Sequence, residues 1–326
     1  MRGPARGLTL TRRGLFALAT AGAATAVLAG PARAAQVRVV DVGGALTAVA
    51  VNPVTGLVYV TDANSGTVAV IDPTAARVTT RITVGGKPSD VAVDSAAGRV
   101  YVANPPAGTV IALDALSHRT VSVIGAGTGA SALAVDPAAN AVYAVSDSTG
   151  TLAILDTISL TTTRIVPAPK PALAGVALDT GRRLAYCTSP TTDTVEIYDL
   201  DAGKFTGSAG VGASPTGVAV HQASGTVFVA NSAIHHMSIV DPVSRTESKT
   251  VLLGSEASSI ALHQGTETVY TNGGQNGLSR VDGKTGTLTG DLSLGVNPGD
   301  VAVDERTRTV YVTDPVHGTV CVVHNF

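Results

Sequence analysis

An aromatic residue opens a tetrapeptide of the form Tyr-Val-Thr/Ala-Asn/Asp that recurs seven times at nearly constant spacing. Successive copies begin 42, 42, 43, 42, 42 and 41 residues apart. The seven copies begin at Tyr59, Tyr101, Tyr143, Tyr186, Phe228, Tyr270 and Tyr311. Self-similarity at this period is typical of architectures in which each repeat is one supersecondary unit.

Each repeat predicts four short strands. The first has the pattern apolar-Ala-apolar, the second carries the aromatic residue, the third is apolar, and the fourth is more polar. The central residues of the seven first strands are Ala50, Ala92, Ala134, Ala177, Ala219, Ala261 and Ala302. Four antiparallel strands in about 40 residues make one propeller blade. We therefore predict an all-β, seven-bladed β-propeller whose seven small alanines line a central channel.

The two ends of the repeat region complement each other. The last repeat stops at Phe326 just after its third strand, and the segment 40–44 matches 82–86, the end of a fourth strand. We expect the N-terminal strand to complete the last blade and close the ring, which removes an exposed sheet edge. Residues 35–326 then form a single domain.

Composition limits the partners. The chain has 326 residues and a formal net charge of -2, and its first 34 residues hold five arginines and no acid, so the remainder carries -2 - 5 = -7. An acidic chain without a Lys/Arg cluster lacks the charge pattern of nucleic-acid binding, which we exclude. We expect the acidity to keep a monomeric protein soluble.

The first 34 residues have the order of a signal peptide. Arg12 and Arg13 precede an apolar run over 15–30, and a small-x-small site follows at 32–34. The arginine pair resembles a twin-arginine signal, although the aromatic Phe16 sits one place late. The alternative is an uncleaved anchor. We expect a secreted or extracytoplasmic protein beginning near Ala35, with no membrane span in the mature chain.

The repeated tetrapeptide, followed by Gly-Thr-Val-x-Val-Ile-Asp as at 66–72, resembles the YVTN β-propeller repeat family, and linkers such as 85–88, 212–215 and 295–298 agree. The resemblance covers residues 36–326. It implies a bacterial exported propeller, with a more distant similarity to lactonase-type propellers. It carries over no shared catalytic motif, because propellers host many functions.

Two acids stand at one register just before the alanines. Asp90 and Asp300 occupy positions held in the other blades by Ala48, Ala132, Gly175, Gly217 and Ser259. Their blades flank the first blade, so we expect both at the channel mouth, where they could hold calcium or magnesium as a cofactor. Alternatively, each caps backbone amides in its own turn.

Loops between second and third strands should lie on the same face. They supply candidate ligand-binding residues for an unknown small molecule or protein: Asp62, Asn104, Asn231, His235, His236, Asp314 and His317. Adjacent histidines could bind a transition metal or act as acid and base. The alternative is that they are solvated loop residues.

The two cysteines, Cys187 and Cys321, lie in blades on nearly opposite sides of the predicted ring. A disulfide needs Cα atoms within about 7 Å, so we expect two free thiols.

Three hypotheses for function remain open. The first is a non-enzymatic binding or scaffold module acting through the loop face around the channel. The second is a lactonase-, lyase- or isomerase-type enzyme that uses a cation held by Asp90 and Asp300. The third is a copper or redox accessory protein that uses the loop histidines.

The signal segment gives the first testable prediction. Mass spectrometry of the exported protein should find a mature chain that begins near Ala35. Replacing Arg12 and Arg13 by lysine should block export, because the twin-arginine route requires the arginine pair. Normal export of the lysine variant would instead assign the protein to the general secretory route.

Overall fold

The computed structural model describes residues 34–274 and 277–326. The predicted signal segment, residues 1–34, therefore lies outside the described residues except for Ala34. Twenty-eight strands form seven four-stranded antiparallel sheets, each of which is one blade. The described residues contain one short helical element, a 3-10 turn at Pro105–Ala107, and no helix among them is long and apolar enough to cross a membrane.

The strands of each blade follow the chain from the centre of the ring outward. The inner strands are β2 (Leu46–Val51), β6 (Asp90–Asp94), β10 (Ala130–Asp136), β14 (Gly175–Asp179), β18 (Pro215–Val220), β22 (Ile260–His263) and β26 (Val301–Val303). The second strands are β3 (Val58–Asp62), β7 (Arg99–Asn104), β11 (Ala141–Ser146), β15 (Leu184–Ser189), β19 (Val227–Asn231), β23 (Thr268–Gly274) and β27 (Val310–Asp314). We number the blades 1 to 7 in this order.

The outer half of each blade follows the same pattern. The third strands are β4 (Thr67–Asp72), β8 (Thr109–Asp114), β12 (Thr151–Asp156), β16 (Thr194–Asp199), β20 (His236–Asp241), β24 (Gly277–Asp282) and β28 (Thr319–His324). The outer strands are β5 (Arg77–Thr83), β9 (Thr120–Gly125), β13 (Thr161–Pro167), β17 (Lys204–Gly210), β21 (Thr246–Leu252), β25 (Thr287–Ser293) and, for blade 7, β1 (Gln36–Asp41). The predicted seven-bladed fold is confirmed.

The N-terminal strand closes the ring as predicted. Strand β1 pairs antiparallel with β28 over six residue pairs, from Gln36 opposite His324 to Asp41 opposite Thr319. Val40 of β1 is 2% exposed and belongs to the apolar layer between blades 7 and 1. The edge of β28 is therefore covered by the other end of the chain, which leaves blade 7 with the same four strands as its neighbours.

Seven apolar layers, one between each pair of neighbouring blades, form the core. The aromatic residue of each repeat belongs to the layer that its blade shares with the next. Tyr59 of blade 1, for example, packs with Val91, Val100 and Val102 of blade 2. The tyrosine body is apolar and fully buried, and burial of such a side chain stabilises the fold by about 1.5–3 kcal/mol. The sequence repeat is thus a repeat of inter-blade contacts.

The seven inner-strand alanines stay partly exposed although they lie at the centre of a closed ring. Ala50 packs against the layer between blades 1 and 2, and Ala302 against the layer between blades 7 and 1. Small side chains at this register let the inner strands converge and still leave an axial opening.

Glutamine side chains tie blades on the face where first and second strands are joined. Gln222 of blade 5 accepts a hydrogen bond from the Thr180 N–H and donates one to the Leu178 carbonyl, at 3.1 and 2.7 Å. Gln264 of blade 6 makes the equivalent pair of bonds to the backbone of blade 5, both at 2.9 Å. Each amide therefore fastens its blade to the preceding one.

Both cysteines are free and buried, as expected. Cys187 lies on β15 in blade 4 and Cys321 on β28 in blade 7. Burial, reinforced by the nearby Glu196 carboxylate, raises the pKa of Cys187, and burial raises the pKa of Cys321 to about 11. Neither thiol is therefore prone to ionise at neutral pH.

Ring closure gives the second prediction. Deleting residues 35–41 removes β1 together with the buried Val40, so the ring opens and the edge of β28 is exposed. The deletion variant should unfold at a clearly lower temperature by circular dichroism and should aggregate. The control is Val39→Thr, which changes a side chain that is 58% exposed on the same strand and should leave the melting temperature unchanged. Equal melting temperatures for the deletion and the wild type would disprove the closure.

Candidate functional site: the channel mouth

The inner strands begin at one face of the ring, and their first residues enclose a cavity of about 330 Å³ at the channel mouth. Each blade contributes to the wall of this cavity the residue that lies two places before its inner-strand alanine. We call this residue the mouth position. Its occupants are Ala48, Asp90, Ala132, Gly175, Gly217, Ser259 and Asp300. The preceding residue carries a hydroxyl in five blades: Thr47, Ser89, Ser131, Thr216 and Ser258.

Three of those hydroxyls link consecutive blades around the mouth. Thr47 donates to the Pro88 carbonyl at 2.9 Å, Ser89 to the Ser131 carbonyl at 2.7 Å, and Thr216 to the Ser258 carbonyl at 2.9 Å. The wall of the cavity therefore includes hydroxyl and carbonyl oxygens that are held by hydrogen bonds between blades, next to apolar side chains such as Leu133 and Ile260.

Glycine at two mouth positions has a steric cause. A Cβ atom on Gly175 would lie 2.2 Å from the Thr216 carbonyl oxygen, and one on Gly217 would lie 2.9 Å from that of Ser258. Neighbouring backbones approach too closely there for any side chain, so blades 4 and 5 present bare backbone at their mouth positions.

Asp90 joins blade 2 to blade 3. Its Oδ2 accepts a hydrogen bond from the Leu133 N–H at 2.7 Å, and its Oδ1 accepts one from the adjacent Val91 N–H at 2.8 Å. The second of these bonds matches the alternative that Asp90 caps its own turn. The first crosses to the next inner strand, so the side chain also fastens two blades together.

Asp300 makes the equivalent link from blade 7 to blade 1. Its Oδ2 accepts from the Val49 N–H at 2.8 Å, and its Oδ1 accepts from the Ser259 hydroxyl at 2.6 Å. Ser259 in turn accepts from the Val301 N–H at 3.0 Å. At all three polar mouth positions, therefore, the side chain accepts an N–H from the inner strand of the following blade.

Both carboxyl groups are electrostatically unfavourable as anions. Burial, and then the negative charge of Asp300, raises the pKa of Asp90 to about 7. Burial also raises the pKa of Asp300, against the lowering effect of its bonds from Ser259 and Val49. Each residue keeps some exposure to the channel, so its charge is reachable from the cavity. The cavity lining contains no lysine, arginine or histidine to balance the two charges.

The arrangement suits a hard cation. Carboxylate, hydroxyl and carbonyl oxygens are the ligands of calcium and magnesium, which also keep water molecules in their coordination shells. No group of three or more His, Cys, Asp or Glu side chains capable of holding a metal occurs within 34–274 and 277–326. A cation at the mouth would therefore depend on Asp90 and Asp300, with neutral oxygens and water completing its shell.

The predicted polar loop residues lie at the ends of the second strands and are buried. Asp62, Asn104, Asn231 and Asp314 are 2%, 5%, 0% and 0% exposed. Asp62 accepts from the N–H groups of Ala45, Asn64 and Ser65, and Asp314 from those of Val316 and His317. Asn104 binds the backbone of residues 85 and 87. These side chains shape the loops around the mouth and point few atoms outward.

Asn231 differs in one respect from the other three. Its Nδ2 donates to the His236 carbonyl and to the Ser238 hydroxyl, both at 2.9 Å, whereas its buried Oδ1 has no partner among the described residues.

The three predicted loop histidines do not form one cluster. His235 contacts Glu256 at 3.2 Å, and both side chains are more than half exposed. His236 begins β20. Nδ1 of His317 donates to the Asp314 carboxylate at 2.6 Å, and the His317 side chain is 65% exposed. Ser65 bonds Asp62 at the same place in blade 1, so the His317 contact is a variant of a repeated loop closure.

The sequence analysis did not predict the role of Ser259, nor the hydroxyl groups that precede the mouth position in five blades, which we call the hydroxyl ring. Ser259 stands at the mouth position that also drew attention to the two acids, and the preceding residue is a serine or threonine in five of seven repeats. Aligning the repeats one residue further back would have revealed that ring.

Comparisons with known proteins add information on the fold. No protein-family model matches the sequence, and no curated protein matches it. A solved structure of hydrazine synthase from Kuenenia stuttgartiensis has a similar fold, with a TM-score of 0.73 and 14% sequence identity, over 85% of this chain and 95% of that one. At this identity the similarity concerns the propeller architecture alone.

The raised pKa of Asp90 gives the third prediction. The folded protein holds a proton on Asp90 up to a pKa of about 7, whereas the unfolded chain releases it near the ordinary aspartate pKa of 3.8. The contribution of Asp90 to stability is thus complete below about pH 4 and is lost as the pH rises to about 7. The variant Asp90→Ser can still accept the Leu133 N–H, as Ser259 accepts Val301, but carries no charge.

Urea unfolding at pH 5 and pH 8 tests this. The free energy of unfolding of Asp90→Ser minus that of wild type should be larger (the variant relatively more stable) at pH 8 than at pH 5, by on the order of 1–4 kcal/mol. The control Asp147→Ser removes an exposed carboxylate and should show no such difference. If the effect of Asp90→Ser on the free energy of unfolding did not depend on pH, the raised pKa of Asp90 would be wrong.

Proposed function

We propose that this protein is an exported, YVTN-type β-propeller that binds a hydrated divalent cation, calcium or magnesium, at the mouth of its central channel and acts as a binding module. The observation that carries the proposal is the pair Asp90 and Asp300, two enclosed carboxyl groups in a cavity whose lining holds no positive side chain. A propeller ring is a general architecture for binding, and its channel mouth collects side chains from every blade.

The chemistry of the lining favours an inorganic cation over an organic one. Proteins that recognise quaternary ammonium groups surround them with aromatic rings, and the cavity lining contains no aromatic residue. It also contains no histidine, cysteine or methionine, the ligands of copper and other softer metals. Oxygen ligands and two carboxylates leave calcium and magnesium as the best match.

Electrostatics supports the same proposal. A bound dication would offset the burial and the repulsion from Asp300 that together raise the pKa of Asp90 to about 7, so binding would release a proton at pH values near and below 7. Affinity should therefore increase from pH 5 to pH 8. The inter-blade hydrogen bonds of the two carboxylates hold them in place without a rearrangement of the ring.

A second function, catalysis, is favoured by one observation. A carboxyl group with a pKa of about 7 can both donate and accept a proton at neutral pH, which is what a general acid or base requires. A lactonase-, lyase- or isomerase-type reaction at a cation held by Asp300 would use Asp90 in that role.

The fourth prediction tests cation binding. Protein freed of metal by chelator dialysis should bind CaCl2 or MgCl2 in isothermal titration calorimetry with a Kd of about 0.1–1 mM, as extracellular calcium modules do. At a cation concentration of 100 times Kd the melting temperature should rise, because binding adds about 2.7 kcal/mol to the folded state. The variants Asp90→Ser and Asp300→Ser should each weaken binding at least tenfold.

The matched control is Asp147→Ser, which removes one exposed carboxylate on the same face and should bind as wild type does. The absence of heat and of thermal stabilisation with both salts would overturn the proposal, as would an equal loss in Asp147→Ser. Saturable turnover of a lactone that Asp90→Ser abolishes and Asp147→Ser retains would replace the binding function by the enzymatic one.

A further inference from the structure

A second cavity, of about 310 Å³, lies on the outer side of the ring between blades 6 and 7. It combines two arginines, Arg280 on β24 and Arg308 in the turn between β26 and β27, with the hydroxyls of three threonines and the side chains of Tyr270 and Phe326. We call it the arginine groove. It shares no residue with the channel mouth.

Arg280 breaks the repeat at its position. The equivalent third-strand residue in the other six blades is apolar: Val70, Ala112, Ile154, Ile197, Ile239 and Val322. The guanidinium carbon of Arg280 lies 5.1 Å from the centre of the Phe326 ring, and Nε donates to the Thr289 hydroxyl at 3.1 Å. Stacking and this hydrogen bond fix the guanidinium plane at the groove.

Arg308 lies at a turn position whose residue varies among the blades, with Asn140, Arg183 and Glu267 at three of the equivalent places. Its φ angle is 59°, in the left-handed region, and three of the equivalent turn positions hold glycine: Gly56, Gly98 and Gly225. An arginine there has a conformational cost that glycine avoids.

In blade 4 the arginine at this position, Arg183, forms ion pairs within the protein. Arg183 binds the Asp136 carboxylate of the preceding blade at 2.7 Å and the Asp201 carboxylate at 3.1 Å. The positions equivalent to those two acids are occupied by His263 in blade 6 and Phe326 in blade 7, neither of which has a side-chain carboxylate. Both internal partners of the repeat arginine are thus replaced around Arg308.

The groove thus holds two guanidinium groups beside the side chain of Asp282 and beside Phe326, whose main-chain oxygen accepts a hydrogen bond from the Tyr270 hydroxyl at 3.2 Å. Among the ion pairs of residues 34–274 and 277–326, none involves Arg280 or Arg308. The one acid in its lining, Asp282, accepts the N–H groups of Lys284 and Thr285 in its own turn, at 2.9 and 3.1 Å. Both guanidiniums lie near the Tyr270 hydroxyl, and their charges lower its pKa against the larger raising effect of burial.

The neighbouring groove, between blades 5 and 6, provides an internal comparison. It has a similar volume of about 340 Å³, but Ile239 stands in place of Arg280 and Glu267 in place of Arg308. Its Lys249 ammonium is already bound to the Thr285 carbonyl. The groove between blades 5 and 6 therefore lacks the pair of guanidinium groups found between blades 6 and 7.

We propose that the arginine groove is an oxyanion site that takes a phosphate group, either as the free ion or as part of a phosphomonoester. Two guanidiniums without carboxylate partners offer planar sets of N–H donors that match tetrahedral oxyanions, and charge-assisted bonds of this kind are among the strongest in proteins.

The repeat itself provides the substitutions for the test. Arg308→Gly introduces the residue found at three equivalent turns and suits a φ of 59°, so it should fold at least as well as wild type. Arg280→Ile introduces the residue of blade 5 at the same position. The control Lys284→Thr removes one positive charge from an exposed residue that lines the neighbouring groove.

Titrations with sodium phosphate, sodium sulfate and glycerol phosphate should be followed by calorimetry at low ionic strength and again at about 0.15 M salt. Wild type should bind phosphate with a Kd of about 1 mM or lower. Arg308→Gly should weaken binding at least tenfold, the double variant Arg280→Ile/Arg308→Gly should abolish it, and Lys284→Thr should leave it unchanged.

The three ligands distinguish the sources. Glycerol phosphate binding at least tenfold tighter than phosphate would assign the site to organic phosphates, and equal affinities would assign it to the free ion. No saturable binding of any of the three, wild-type affinity in Arg308→Gly, or an equal loss in Lys284→Thr would overturn the proposal. Circular dichroism melts of each variant verify that the ring is intact.

Discussion

The structure depends on the packing of one aromatic side chain per repeat against the next blade. A single four-stranded blade buries little apolar surface, and its two faces become core only when both neighbours cover them. Tyr59 in the layer between blades 1 and 2 and Phe228 in the layer between blades 5 and 6 are buried only because each blade has a successor. The same requirement applies to blade 7, whose successor is blade 1, so the stability of every layer is tied to closure of the ring.

Polar contacts link blades to the following blade on one face of the ring and to the preceding blade on the other face. At the channel mouth, side chains of one blade accept N–H groups from the following blade, as Asp300 does with Val49. On the opposite face, Gln222 and Gln264 reach back to the preceding blade. Ring geometry and binding chemistry are therefore coupled, because the carboxylates that could hold a cation also fix the distance between inner strands. Substitution by serine separates these two roles, since serine preserves the acceptor and removes the charge.

The sequence predicted the features that repeat. Blade number, the strand that completes blade 7, the register of the seven alanines and the free state of Cys187 and Cys321 all followed from a period near 42 residues. Asp90 and Asp300 were found because they differ from the small residues at their register. Their hydrogen bonds could not be predicted, because the partner of a mouth residue lies about one repeat away and depends on how neighbouring blades are staggered.

Departures from the repeat that involve two blades were harder to recognise. Arg308 looks like an ordinary turn residue until it is compared with Arg183, whose acids Asp136 and Asp201 have no counterpart around it. The positions that decide this are those of His263, which belongs to the preceding repeat, and Phe326, which follows the third strand of blade 7. Loop residues such as Asp62 were predicted as binding residues because they are polar. Their hydrogen bonds to backbone N–H groups, which bury them, depend on the folded loops and could not be predicted.

The pairing of β1 with β28 has a consequence for the time course of folding. Its partners are separated by nearly the whole chain, whereas contacts between successive blades join residues about 40 positions apart. Loop-closure entropy grows only logarithmically, so this separation adds roughly 2 kcal/mol to the cost of the first encounter. Once formed, the pairing of β1 with β28 is thus little weaker than the other strand pairings, but it is slow to form. Since long-range pairing limits the folding rate of β proteins, the closing strand sets how long the unfinished ring exposes an unpaired edge during maturation.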